Sequence, residues 1–141
     1  MSLFLAAVLA FAPAPGAINP VVTQANIDTT ICVPNWTKTV RPPAKYTNKL
    51  KAQQLGTTDY FVLHKYEEDH VVPLALGGHP KDPRNLQPEL WDGPANAHDK
   101  DKLEKRLQKL VCARKLSLAT AQHDIAVNWQ AAYLKYFGVA P

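Results

Sequence analysis

The residues best able to do chemistry stand together at Glu67-Glu68-Asp69-His70-Val71-Val72-Pro73-Leu74-Ala75-Leu76-Gly77-Gly78, followed by Pro83-Arg84-Asn85-Leu86. A neutral imidazole such as that of His70 takes a proton from water at physiological pH. A carboxylate such as Asp69 is a hard oxygen ligand for a divalent cation, which stabilises charge on an oxyanion and on a departing alkoxide. Hydrolysis of a phosphodiester has these requirements. An Asp-His pair alone says little, because a surface imidazole bonded to Glu67 or Glu68 explains it equally well. Neighbouring residues on a strand also point to opposite faces, so Asp69 and His70 serve one site only through a local irregularity. A bulge near the Pro73 turn would supply one.

Asp-His, Pro-Leu, Gly-Gly and Asn-Leu occur in one order and at close spacing, which is far more specific than any one of them. The pattern resembles the His-Asn-His (HNH) nuclease family over roughly residues 66–110. The resemblance implies an α+β fold with a ββα-metal core: a strand carrying the acid and His, a second strand carrying Asn, and a helix bringing one more metal ligand. It further implies a metal-dependent endonuclease that hydrolyses DNA or RNA with low sequence specificity. In that reading His70 is the general base, Asn85 holds it in orientation, and Asp69 binds the metal. The cofactor is then a divalent ion, Mg²⁺ first, with Mn²⁺ or Zn²⁺ as alternatives. The flanking Thr30-Ile31-Cys32 and Val111-Cys112 segments resemble small exported bacterial proteins that carry the same motif.

The sequence departs from the family in the third element, where a His or Asn should open the helix, often with a Lys three residues later. Counting back from Lys100 lands on Ala97, which binds no metal, and Leu90 to Pro94 reads as an insertion that shifts the register. His98 is the first choice, since imidazole is the better transition-metal ligand. Asn96 is the second, with helix capping or plain exposure the competing role for both. Asp101 and Glu89 are further oxygen donors. For nucleic-acid contact Lys81, Arg84, Lys100 and Lys102, with Lys105 and Arg106, lie within or beside the motif and would neutralise phosphates without reading sequence. A solvated helix face competes for Lys105 and Lys109. No module that reads base sequence is visible.

Elements must position these groups. Tyr60-Phe61-Val62-Leu63 is apolar and β-prone, and residues 67–72 form a second strand candidate. Gly77-Gly78 and Asp82-Pro83 mark the loop that follows. Leu103, Leu107, Leu110 and Val111 make an apolar helical stripe. Ser117 is a fitting N-cap for a second helix that sets Ala121, Ile125, Trp129, Ala132 and Tyr136 on one side and stops at Gly138. Upstream, residues 18–58 read as an extended arm with one short helix over Asn48–Leu55, capped by Thr47 and ended by Gly56. Residues 59–141 form the HNH-like domain with its C-terminal helices.

Residues 1–17 carry no ionisable side chain and hold an apolar run about ten residues long, half of what a membrane span needs. They read as a signal peptide removed after Ala17, with a buried N-terminal element as the competing reading. The expected location is therefore secreted or periplasmic, with no stable membrane anchor. In such a compartment Cys32 and Cys112 would pair, whereas in a reducing one they would be buried free thiols. No CxxC pair exists, which excludes a structural zinc knuckle of the usual form. A length of 141 residues suits one domain, and 46% hydrophobic residues suffice for a core. The net charge of +4 suits a polyanionic partner. Two rivals to a nuclease remain: an HNH-fold scaffold that binds metal, nucleic acid or protein without cleaving, and a disulfide-stapled extracellular interaction domain.

Overall fold

A computed structural model describes residues 14–141, so the apolar run of residues 1–13 lies outside it. The fold is α+β. Two antiparallel strands, β1 (Tyr66–His70) and β2 (Leu86–Leu90), pair in a regular register from Tyr66↔Leu90 to His70↔Leu86. Among the described residues five α-helices accompany them: α1 (Trp36–Val40), α2 (Ala44–Leu55), α3 (Tyr60–Leu63), α4 (Ala97–Cys112) and α5 (Leu118–Phe137). The order around the hairpin is strand, strand, helix.

The two C-terminal helices carry the core. Leu103, Leu107 and Val111 of α4 are fully buried against Ala121, Ile125, Trp129 and Ala132 of α5, so the apolar stripes meet face to face. Tyr133 joins this core, Tyr136 packs against it partly buried, and α5 bends at Asn128, whose backbone is non-helical (φ −162°, ψ 93°). Ser117 caps α5 by accepting a hydrogen bond from Thr120 N at 3.1 Å, and Gly138 ends it in the left-handed region at φ 77°.

The segment before α2 is not extended. A 3-10 helix over Gln24–Thr29 buries Ile27, and Ile31 and Val22 join the same core as α4 and α5. These apolar residues lack a helical period because each is placed by a turn, and the turns are pinned at long range. Gln108 Nε2 donates to Ile31 O (2.8 Å), and Leu118 N donates to Gln24 Oε1 (2.7 Å). Cys32 and Cys112 form a disulfide that spans 80 residues and ties this segment to the end of α4.

Helix α2 starts earlier than Thr47 suggested. Pro43 occupies the N-cap with φ −59°, and Thr47 lies inside, its hydroxyl donating back to Ala44 O. Gly56 ends the helix as expected, at φ 64°. Tyr60–Leu63 is one turn of helix and not a strand. Asp59 accepts hydrogen bonds from Phe61 N and Val62 N, and this local cap outweighs the β preference of the four residues. Helix α2 then braces the hairpin, with Lys51 Nζ donating to Tyr66 O (2.9 Å) and Gln54 Nε2 donating to Leu86 O (2.9 Å).

Residues 14–19 add to the loop that joins the strands. Gly16 N donates to Arg84 O (2.8 Å), His79 N donates to Ala17 O (2.8 Å), and Ile18 bridges Gly78. In that loop a Cβ at Gly78 would lie 1.7 Å from Val72 O, so no other residue fits the approach.

Candidate functional site

β1 ends at His70, where the chain turns through Val71, Val72 and Pro73 into the loop. Asn85 controls that turn. Its Oδ1 accepts from Val72 N (2.8 Å) and Ala17 N (3.2 Å), and its Nδ2 donates to Val72 O (3.0 Å) and His79 O (2.9 Å). It is fully buried, and all of its polar capacity goes to backbone. Asn85 therefore does not touch the imidazole it was expected to orient. It holds the loop that carries Pro80, and the Pro80 carbonyl does the orienting, 3.0 Å from His70 Nε2.

A carbonyl only accepts, so Nε2 carries the proton and Nδ1 is left with its lone pair. No hydrogen bond engages Nδ1 among the described residues. Burial lowers the His70 pKa from its ordinary value, outweighing the Pro80 contact and the nearby Asp69, both of which raise it. The ring is thus neutral at neutral pH, and His70 lines a cleft of about 640 Å³. Glu67, Glu68, Asp69, Asp101 and Glu104 line the same cleft.

The register shows no bulge, so Asp69 and His70 leave β1 on opposite faces. Asp69 turns toward α4 and ion-pairs with Lys100, whose Nζ also donates to His70 O (2.7 Å) and lies 3.7 Å from Glu104. Lys100 is 2% exposed. Burial opposes its charge, but Asp69 and Glu104 outweigh burial and hold its pKa above the ordinary value. Burial likewise pushes the Glu67 carboxyl up to about 7 and the Glu68 carboxyl up to about 8. Glu89 and Asp101 are raised for the same first reason, with Asp69 adding to both. One buried oxygen of Glu67 and both of Glu68 have no hydrogen-bond partner.

The other expected residues fall elsewhere. His98 is exposed, stacks on Trp91 with ring centroids 5.2 Å apart, and does not line the cleft. Two residues along a helix turn a side chain by about 200°, so with Lys100 facing the hairpin His98 faces away. Asn96 caps α4, accepting from Asp99 N (3.1 Å) and donating to Gly93 O (2.8 Å). Lys100, expected to meet nucleic acid, is instead sealed in the ion pair. Lys81 is exposed outside the cleft, Arg84 is paired with Asp82 (2.6 Å), and Lys102 with Asp99 (3.0 Å). Arg41, Lys105 and Lys109 are the basic residues on the cleft wall.

Three of the donors named for a metal, Asp69, Asn96 and His98, do not come together. Asp69 is committed to an ammonium, Asn96 to a cap, and His98 lies outside the cleft. No group of three or more His, Cys, Asp or Glu side chains is set to hold a metal ion among the described residues. The Pro80 carbonyl escaped the sequence reading, because it acts through the backbone and has no side-chain signature. Arg41 on the cleft wall escaped it as well. No family model, curated protein or solved structure matches the chain.

Proposed function

We propose that the protein hydrolyses phosphodiester bonds of nucleic acid, with His70 Nδ1 removing the proton from the attacking water. The observation that carries this reading is the Pro80 carbonyl on Nε2, which fixes the tautomer of a neutral imidazole at the wall of the cleft. An arrangement of this kind suits general-base catalysis. The HNH resemblance agrees with the strand-strand-helix order, with His70 closing β1 and Asn85 at the entry to β2. Arg41, Lys105 and Lys109 provide positive charge for phosphate at the wall. The Cys32–Cys112 bridge favours an exported setting, secreted or periplasmic. Among the described residues no helix is long and apolar enough to cross a membrane.

A second reading is a non-cleaving scaffold, favoured by one observation: Asp69 is spent on Lys100. The deciding experiment incubates the protein with supercoiled plasmid, single-stranded DNA and RNA, each in EDTA and in Mg²⁺, Mn²⁺ or Zn²⁺, beside His70→Ala. Cleavage that falls by about a hundredfold or more in His70→Ala supports the hydrolase. Equal cleavage by the two proteins removes His70 as the base, and no cleavage under any condition leaves the scaffold.

A further inference from the structure

A second groove of about 350 Å³ also reaches His70, from the side of α2, and shares Glu67, Glu68 and Arg41 with the cleft. Its far end is aromatic. His64 and Trp91 line it, and each is half of a ring pair. The Tyr60 ring lies 3.6 Å from the His64 ring, and His98 stacks beside Trp91. Trp91 N donates to Lys65 O (3.0 Å), which joins the two pairs across one short backbone contact. Helix α3 leaves Tyr60 63% exposed and Phe61 78% exposed, although such rings gain much by burial.

We infer that this surface is a base-stacking platform for a single-stranded segment of nucleic acid, which it would lead toward His70. The inference rests on the proposed hydrolase and names its substrate class. Rings that offer flat faces beside basic side chains bind unpaired bases of any sequence, since every base has a π-face. Arg41 and Lys51 in the groove, with Lys65 beside it, supply charge for the backbone. A duplex offers no free base faces here, so its affinity should depend on charge alone.

The test uses His70→Ala protein, to prevent cleavage, and fluorescence anisotropy with end-labelled oligothymidylate, oligouridylate and a DNA hairpin of equal charge. The two single strands should bind at least about tenfold tighter than the hairpin. Adding Tyr60→Ala or Trp91→Ala should weaken single-strand binding about fivefold to a hundredfold and leave hairpin binding unchanged. Tyr60→Phe should retain binding, as stacking needs the ring and not the hydroxyl. Tyr60 is exposed, so its variants should keep the far-ultraviolet spectrum of the folded chain. Hairpin binding equal to or tighter than the single strands overturns the platform, as does single-strand binding that ignores both truncations. Loss of single-strand binding in these variants, in a protein that cleaves nothing, would keep the platform and discard the hydrolase. Cleavage without any strand preference would do the reverse.

Discussion

Lys100→Met tests whether the buried ammonium holds the site together. Methionine keeps most of the lysine stem but deletes the charge, leaving Asp69 facing Glu104 and Glu67 without its ion-pair partner. It also removes the hydrogen bond to His70 O, the last carbonyl of β1. Breaking a buried pair on one side costs about 3–5 kcal/mol, since the remaining charge loses its partner without regaining water. In a chain of 141 residues each kcal/mol moves the midpoint by about 3–4 °C, so thermal unfolding at neutral pH should drop by about 10–20 °C. Asp69→Asn should cost less, because Lys100 keeps Glu104 at 3.7 Å and the His70 carbonyl. The double variant should cost less than the sum of the two, with a coupling of about 2 kcal/mol. Urea melts of all four proteins measure this cycle. Additive losses, or an Lys100→Met protein as stable as its parent, would refute the idea that the pair organises the site.

Reduction of the Cys32–Cys112 bridge, which closes 80 residues, should remove about 4–5 kcal/mol of stability. The folded protein should titrate no free thiol, and an unchanged melting temperature in reductant would contradict this. Stability should also depend on Glu67 and Glu68. Their native pKa values of about 7 and about 8 exceed the ordinary 4.5, so their stabilising effect is complete below pH 4.5 and fades as pH climbs to 8. Glu68→Gln should therefore raise the melting temperature at pH 8 more than at pH 5, and equal effects would sink the assignment. His70 runs the other way: its depressed pKa gives stability above its ordinary value of 6.5 that is lost as pH falls, and His70→Ala should flatten that limb. A chain begun at Ile18 should melt lower than one begun at Ala14. It lacks the hydrogen bonds of Ala14 to Gln87, Gly16 to Arg84, and Ala17 to Asn85 and His79. A chain starting at Ile18 that melts as high as one starting at Ala14 would refute their role.

The C-terminal helices were legible because their stripes, their caps and Gly138 are local features with a period or a fixed offset. The hairpin was half legible. Asp69 and His70 marked β1, but the apolar Tyr60-Phe61-Val62-Leu63 run looked like a strand because the competing signal is one cap from Asp59. The turns before α2 have no period at all, and their buried Ile27 and Ile31 are specified by contacts 77 and more residues away.

Within the site, residue types were readable and partners were not. Lys100 sits in a charged run, and nothing local distinguishes a lysine for phosphate from one that meets an aspartate 31 residues earlier. His98 failed for a related reason. Gly93 at φ 102° and Ala95 at φ 51° turn the chain just before α4, and that turn sets the rotation of the whole helix. Side-chain identity could not reveal it. The property on which the proposed chemistry depends is more hidden still. His70 is a candidate base only because Nε2 is held by Pro80 O, and that carbonyl is placed by Asn85 through the adjoining His79 carbonyl. The invisible step is thus a backbone relay, in which any residue at position 80 with this backbone geometry would serve. A pattern of side chains can select His70, but only the folded loop decides which of its nitrogens keeps the lone pair.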